Sequence, residues 1–206
     1  MQAGSRVDVF LFFSFDLVGS SVLKAQRFNR FHWVELFQYF HSECRRQIVS
    51  RGVENALVWK YLGDEVFFYQ RIGTPYQVEH TIRAIDHALA ALTQDLRASA
   101  KYSAASEYIS IRAIAWTAPV LSFADDVSAK MTELVGQLAE ADLLPNDQMI
   151  HDRENNILDF LGPNIDTGFH LADSARPEHI SISPALADFL RGTERPMLDA
   201  IIAAGN

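Results

Sequence analysis

Two apolar runs that end on aspartate constrain the fold of this chain more than any other feature. Residues 7–15 read Val-Asp-Val-Phe-Leu-Phe-Phe-Ser-Phe and stop at Asp16, which opens the stretch Leu17-Val18-Gly19-Ser20-Ser21. Residues 54–71 carry apolar segments at 56–62 and 66–69 around Lys60-Tyr61-Leu62-Gly63-Asp64-Glu65. Gly-Asp is a turn dipeptide, and the aromatic and β-branched residues on both sides predict a β-hairpin centred on it. Runs so nearly continuous in apolar residues belong in a central, buried sheet, and the ends of such sheets are where sites lie. If strand 7–15 pairs beside the hairpin, Asp16 and Asp64 come to one edge of one sheet. Two hard carboxylate ligands beside a Gly-Ser-Ser turn rich in backbone N–H groups suit Mg²⁺ or Mn²⁺ holding a triphosphate. An aspartate at a strand end is more often a helix cap or turn residue than a ligand, so each half of the pattern also has a plain structural reading, and it is the pairing of the two that points to a site.

With 206 residues, a mass of 23.2 kDa, 49 % hydrophobic content and 14 phenylalanines, the chain reads as a single globular domain, 1–206, with its core between about 7 and 190. No apolar run approaches a bilayer span, and the N-terminal apolar stretch is a strand interrupted by Asp8 rather than a signal peptide. The single cysteine, Cys44, excludes an internal disulfide framework and is compatible with a reducing cytoplasm. A net charge of −8 disfavours a nucleic-acid surface, which needs clustered Lys and Arg. It does not disfavour a nucleotide held through a metal and a few N–H donors.

The remaining elements follow from hydrophobic periodicity. A short helix is expected at 19–27 and a longer one at about 30–50, with Trp33, Phe37, Phe40, Cys44 and Ile48 as its core stripe. After the hairpin, Gly73-Thr74-Pro75 breaks the chain before a helix over 76–100, whose buried face is Val78, Ile82, Ile85, Leu89, Leu92 and Leu96. His80 and His87 fall off that stripe, toward solvent. A strand is predicted at 107–116 with an extension over 118–123, then a weaker helix at 126–143 and a polar loop at 145–156. A strand at 157–161, a helix at 165–175, a strand at 179–183 and a helix at 184–191 complete the domain. This order indicates α+β architecture, with a mainly antiparallel sheet and helices on one face.

Four segments in fixed order resemble the catalytic domain of the class III nucleotidyl cyclases. They are Phe15-Asp16-Leu17-Val18-Gly19-Ser20-Ser21, Lys60-Tyr61-Leu62-Gly63-Asp64, Ile111-Arg112-Ala113-Ile114-Ala115-Trp116, and Asp159-Phe160-Leu161-Gly162-Pro163-Asn164-Ile165-Asp166-Thr167-Gly168-Phe169-His170, the last followed by Ile180-Ser181-Ile182-Ser183. The resemblance implies a ferredoxin-like fold and cyclisation of a nucleoside triphosphate with release of pyrophosphate. It implies two Mn²⁺ or Mg²⁺ ions on Asp16, Asp64 and the Leu17 carbonyl. Val18, Gly19, Ser20 and Ser21 would cradle phosphates, with Phe15 beside them, while Lys60 and Asp159 would read the base and Tyr61 would fill space beside it. It also implies a head-to-tail homodimer with sites at the interface.

The chain departs from the family pattern at three places. Asp166 and His170 stand where the family has Asn and Arg, the glycine after the central strand is replaced around Thr117-Ala118, and the tail holds no match to the late phosphate-binding Lys. With Lys24 and the Phe31-x-Trp33 helix entrance, the chain looks most like the pyrimidine cyclases of bacterial anti-phage (Pycsar) systems. That implies UTP as substrate and cyclic UMP as a defence messenger. Cytidylate, adenylate or guanylate cyclisation, or an inactive nucleotide-binding homologue, are the alternatives.

Overall fold

A computed structural model of the chain describes residues 5–25, 33–123, 147–152 and 157–193. The central strand, β1 (Ser5–Val18), is longer than the apolar run that announces it. Phe10, Leu11, Phe12, Phe13 and Phe15 are all buried, because both faces of the sheet are covered. Leu11, Phe13, Phe15 and Leu17 enter one core cluster and Phe10 and Phe12 the other, as the two-residue period of a strand requires.

After β1 come α1 (Ser20–Ala25), α2 (Trp33–Val49), β2 (Leu57–Leu62), β3 (Glu65–Ile72) and α3 (Pro75–Ala98). The β2–β3 connection is the two-residue turn Gly63-Asp64, with Gly63 at φ 65°, which only glycine takes cheaply. Thr74 caps α3: its hydroxyl accepts from the Gln77 N–H while the Gln77 side chain reaches back, and Pro75 occupies the first helical position. All six apolar residues predicted for the buried face of α3 are buried. A 3₁₀ turn (Ser103–Glu107) leads to β4 (Ser110–Phe123), so the predicted strand begins three residues late and runs through Pro119. Then follow β5 (Asp147–Asp152), β6 (Ile157–Leu161), α4 (Pro163–Ser174), β7 (Ile180–Ile182) and α5 (Pro184–Thr193).

The strands are ordered β2-β3-β1-β4-β5-β6, with β7 also paired to β4. The first four, with helices between β1 and β2 and between β3 and β4, form the ferredoxin-like β-α-β-β-α-β unit, antiparallel throughout. Among the described strands, β5 and β7 run parallel to β4, at different points along its outer edge.

Two expectations are corrected. Residues 147–152 form a strand rather than a loop, because their backbone pairs antiparallel with β6 over five positions despite a polar composition. Helices cover both faces rather than one. The α2, α3 and α5 side chains fill one core, whereas α4 packs on the other with Ile165 and Ala172 against Trp116 and Phe160. The predicted helix at 126–143 and the tail beyond Thr193 lie outside the described residues. Among the described residues no helix is long and apolar enough to cross a membrane.

Candidate functional site

Pairing between β1 and β3 stops at Phe15↔Val66, while β1 continues along β4 as far as Val18↔Ser110. Residues 16–18 therefore form a lip with an open side next to the hairpin turn. Asp16 stands directly opposite Arg112 across the β1–β4 ladder, and the Arg112 Nε and Nη2 both reach Asp16 Oδ2 at 2.8 Å. The Arg112 Nη1 donates to the Ala172 carbonyl in α4. Asp64, in the hairpin turn, holds Lys24 Nζ from α1 at 3.2 Å. Burial raises the Asp16 carboxyl above its ordinary value; the Arg112 guanidinium opposes this and the Asp64 charge adds to it.

A third acid, Glu65, joins this edge. Burial pushes it up to about 7 against the Ser14 hydroxyl, which donates to its Oε1 at 2.5 Å, and the Asp16 charge pushes the same way as burial. The sequence reading overlooked Glu65. Its signal was Ser14, a polar residue within an otherwise apolar run, which is 1 % exposed and needs a partner.

The Gly19-Ser20-Ser21 turn follows the lip. Gly19 has φ 90°, and a Cβ there would lie 2.3 Å from the Tyr108 carbonyl oxygen, so the position admits only glycine. Its own carbonyl accepts the N–H groups of Val22 and Leu23 in the first turn of α1. Ser20 is buried and Ser21 exposed. Phe15, expected among the nucleotide contacts, is fully buried in the core under α2, α3 and α5, beside Phe13 and Phe68. The Leu17 side chain is buried as well, which leaves only backbone groups to both residues for a ligand.

A second cluster lies on the α4 side of the sheet. Although β2 and β6 are the two ends of the strand order, Lys60 Nζ reaches Asp159 Oδ1 at 2.9 Å. The same oxygen accepts the Trp59 indole N–H and the Phe160 backbone N–H, each at 2.9 Å. The Lys60 ammonium sits 3.9 Å above the Trp59 ring and 5.7 Å from the Phe169 ring. Partial burial pushes the Asp159 carboxyl up, but the donors from Lys60, Phe160 and Trp59 outweigh it and hold the acid below its usual value. Tyr61 does not join this cluster. It points to the other face and packs against His41 with ring centroids 4.6 Å apart, tilted by 34°, because successive strand residues face opposite ways.

Asp166 and His170 are exposed, one turn apart on α4, and neither side chain has a hydrogen bond or ion pair among the described residues. The helix that carries them is fixed at its start by Asp147, which is fully buried and accepts from the Asn164 and Ile165 N–H groups at 2.9 and 3.2 Å. This carboxylate at a helix N-terminus also went unread in the sequence.

The lip fits a hard divalent ion through the chemistry of its donors: two carboxylates, each already attracting a cationic side chain, and the backbone oxygen of Leu17. Among the described residues no three His, Cys, Asp or Glu side chains gather as a metal cage. Such an ion would complete its shell with water and ligand phosphates, as Mg²⁺ commonly does.

No protein-family model matches the sequence, and no curated protein matches it. Solved structures do match in shape. The adenylyl cyclase CyaB from P. aeruginosa superposes with a TM-score of 0.58 at 12 % identity, over 92 % of this chain and 83 % of that one. The guanylate cyclase domain of RhGC from Catenaria anguillulae in complex with GTP gives 0.59 at 13 % identity, over 92 % and 85 %. The non-canonical dimeric guanylyl cyclase domain of the RhoGC fusion protein from the aquatic fungus Blastocladiella emersonii gives 0.58 at 13 % identity, over 92 % and 86 %. The chain has the α+β fold of class III cyclase domains.

Proposed function

We propose that the chain is a nucleotide cyclase that joins the ribose 3′-oxygen of a nucleoside triphosphate to its α-phosphorus. The P–O bond to the β-phosphate breaks, pyrophosphate leaves, and the hydroxyl proton passes to solvent. The observation that carries this reading is the placement, on one cyclase-like fold, of two carboxylates at an open lip and a separate lysine–aspartate pair walled by aromatic rings.

Asp16, Asp64 and the Leu17 carbonyl would hold Mg²⁺ or Mn²⁺, which, when bound, acidifies the attacking hydroxyl and neutralises charge on phosphorus. Arg112 holds the Asp16 carboxylate in place and is itself anchored on α4. Backbone N–H groups of Val18, Gly19, Ser20 and Ser21 face the phosphates, while Lys60 donates to the base and Asp159 accepts from it. Asp166 and His170, free on the solvent side of α4, would meet the ribose and phosphate bound at the lip of a second copy in a head-to-tail homodimer. The contributions of this chain are thus alignment and charge complementarity, which together account for most of what such a reaction needs.

We favour UTP as substrate and cyclic UMP, a messenger in anti-phage defence, as product. The departures at Asp166 and His170 and the likeness to the pyrimidine cyclases support this choice. Chromatography of the products formed from each of the four ribonucleoside triphosphates with Mn²⁺ tests it. Cyclic UMP should dominate, and the absence of a 3′,5′-cyclic product from all four refutes cyclase activity.

One observation favours a second reading, a domain that binds a triphosphate without turning it over. Both lip carboxylates are already paired with internal cations, Arg112 and Lys24. Triphosphate binding without product would establish it.

A further inference from the structure

Resting on the assignment of Lys60 and Asp159 to base recognition, we propose that Trp59 is the positioning residue that sets which edge of Asp159 a bound base meets. Three donors converge on a single oxygen of this carboxylate. The Trp59 Nε1, the Lys60 Nζ and the Phe160 N–H all bond Oδ1 at 2.9 Å. Oδ2 has no partner among the described residues, and the side chain is 38 % exposed, so Oδ2 is the acceptor offered outward.

Of the three donors, only the indole is rigidly placed from outside the β6 backbone. Trp59 is 9 % exposed and locked among Phe12 at 5.6 Å, Phe160 at 5.3 Å and Phe67 at 5.9 Å. Lys60, by contrast, is a flexible chain whose ammonium rests on the face of that same indole. The register shift between Val58 and Lys60 in β2 underlies this arrangement. It breaks the strict alternation of the strand at Trp59, so Trp59 and Lys60 both serve the α4 side.

The indole therefore does two jobs through one ring. Its N–H fixes the rotation of the carboxylate, and its face fixes the ammonium. The result is an anionic acceptor beside a cationic donor, flanked by the Trp59 and Phe169 rings, whose centroids are 6.1 Å apart. This is the complement of a heteroaromatic ring edge that carries an N–H next to an acceptor. Without the indole N–H, Asp159 Oδ1 keeps only the adjacent Phe160 N–H and the flexible Lys60 ammonium, so the carboxylate and ammonium are held less firmly and the preorganised edge is weakened, while the phosphate and metal side of the site is unchanged.

Calorimetric binding of the non-cyclisable α,β-methylene analogues of the four ribonucleoside triphosphates, and of inorganic triphosphate, all with Mn²⁺, tests this on the full chain. Trp59→Phe keeps the ring wall and removes the N–H. It should weaken binding of the preferred nucleotide analogue roughly ten- to a hundredfold, the usual range for a hydrogen bond to a charged group, and leave inorganic triphosphate within about twofold. Asp159→Asn should show the same pattern, and in that background Trp59→Phe should cost little more, because the indole acts through the carboxylate. Equal weakening of nucleotide and inorganic triphosphate by Trp59→Phe would mean a general packing role and would overturn the proposal, as would additive losses in the double variant. Wild-type chain that binds the analogues yet makes no cyclic product from the natural nucleotides refutes cyclase activity alone. A chain that binds none of the analogues refutes both.

Discussion

Gly168 is the position where one methyl group should cost most. A Cβ built there falls 2.3 Å from Cε2 and Cζ2 of Trp116 and 2.5 Å from Cδ2, where ordinary carbon contacts sit at about 3.5–4.0 Å. More than an ångström of separation must be found, and neither partner can readily give it. Trp116 is fully buried and stacked on Phe12 at 5.3 Å, while α4 is pinned at its start by Asp147 and near its end by the Arg112–Ala172 bond. Overpacking typically costs about 1–3 kcal/mol, and a shortfall of over an ångström against a pinned, fully buried ring puts this case at the upper end, about 3 kcal/mol, of which the better helix propensity of alanine returns about 1 kcal/mol. Gly168→Ala should therefore destabilise the chain by about 2 kcal/mol, which for a domain of this size lowers Tm by about 4–8 °C. Urea titration and thermal melting followed by circular dichroism measure both. Because Phe169 sits against Trp59 and Lys60, nucleotide affinity should fall with stability. A variant as stable as the wild type, or more so, would refute the packing of α4 on Trp116.

Glu65, pushed from 4.5 up to about 7, binds its proton more tightly folded than unfolded. Its stabilising contribution is complete below about pH 4.5 and is lost as the pH rises through 7. The ceiling is about 3 kcal/mol, reduced to about 1–2 by solvent at its open side. In EDTA, wild type should lose that much stability between pH 5 and 8 relative to Glu65→Gln, and parallel pH profiles would contradict the burial of the charge. Asp64→Ala should lower turnover more than a hundredfold at unchanged Tm, whereas Asp16→Ala should also cost about 1–3 kcal/mol by leaving the half-buried Arg112 without its carboxylate, its Nη1 bond to Ala172 alone remaining; either variant with near wild-type turnover would remove the carboxylate pair from the mechanism. Mixing an Asp64→Ala chain with one altered at Asp159 and Asp166 should restore activity in heterodimers if sites are shared, and silence in heterodimers of proven composition would mean each chain builds its own.

The strands and helices of the ferredoxin-like unit were legible because their apolar periodicities are long and their turns carry Gly63-Asp64 and Gly73-Thr74-Pro75. The lip was legible for the same reason, since a run such as 7–15 has nowhere to go but a central strand. What was not legible depends on contacts across the fold. β5 is polar in sequence, and its strand form comes from pairing with β6. The far-side packing of α4 turns on the missing side chain of Gly168, which no periodicity reveals. Asp16 was expected as an open strand-end carboxylate, whereas it lies within β1 and is paired with Arg112, 96 residues away. Tyr61 was misplaced by adjacency in sequence to Lys60, although the strand turns the two to opposite faces.

The long β1–β4 ladder has a consequence for how the chain reaches this state. Its fourteen paired positions join residues about a hundred apart in sequence, while the β2–β3 hairpin closes over a two-residue turn. Closing the ladder requires ordering nearly everything between, so its loop entropy is met late and rewarded all at once. Hairpin and α3 can form locally in microseconds, but the Asp16–Arg112 contact can exist only after the slow step. Folding rate and acquisition of the lip should therefore share one kinetic phase, so that a ligand of the lip added during refolding binds no earlier than β1 meets β4.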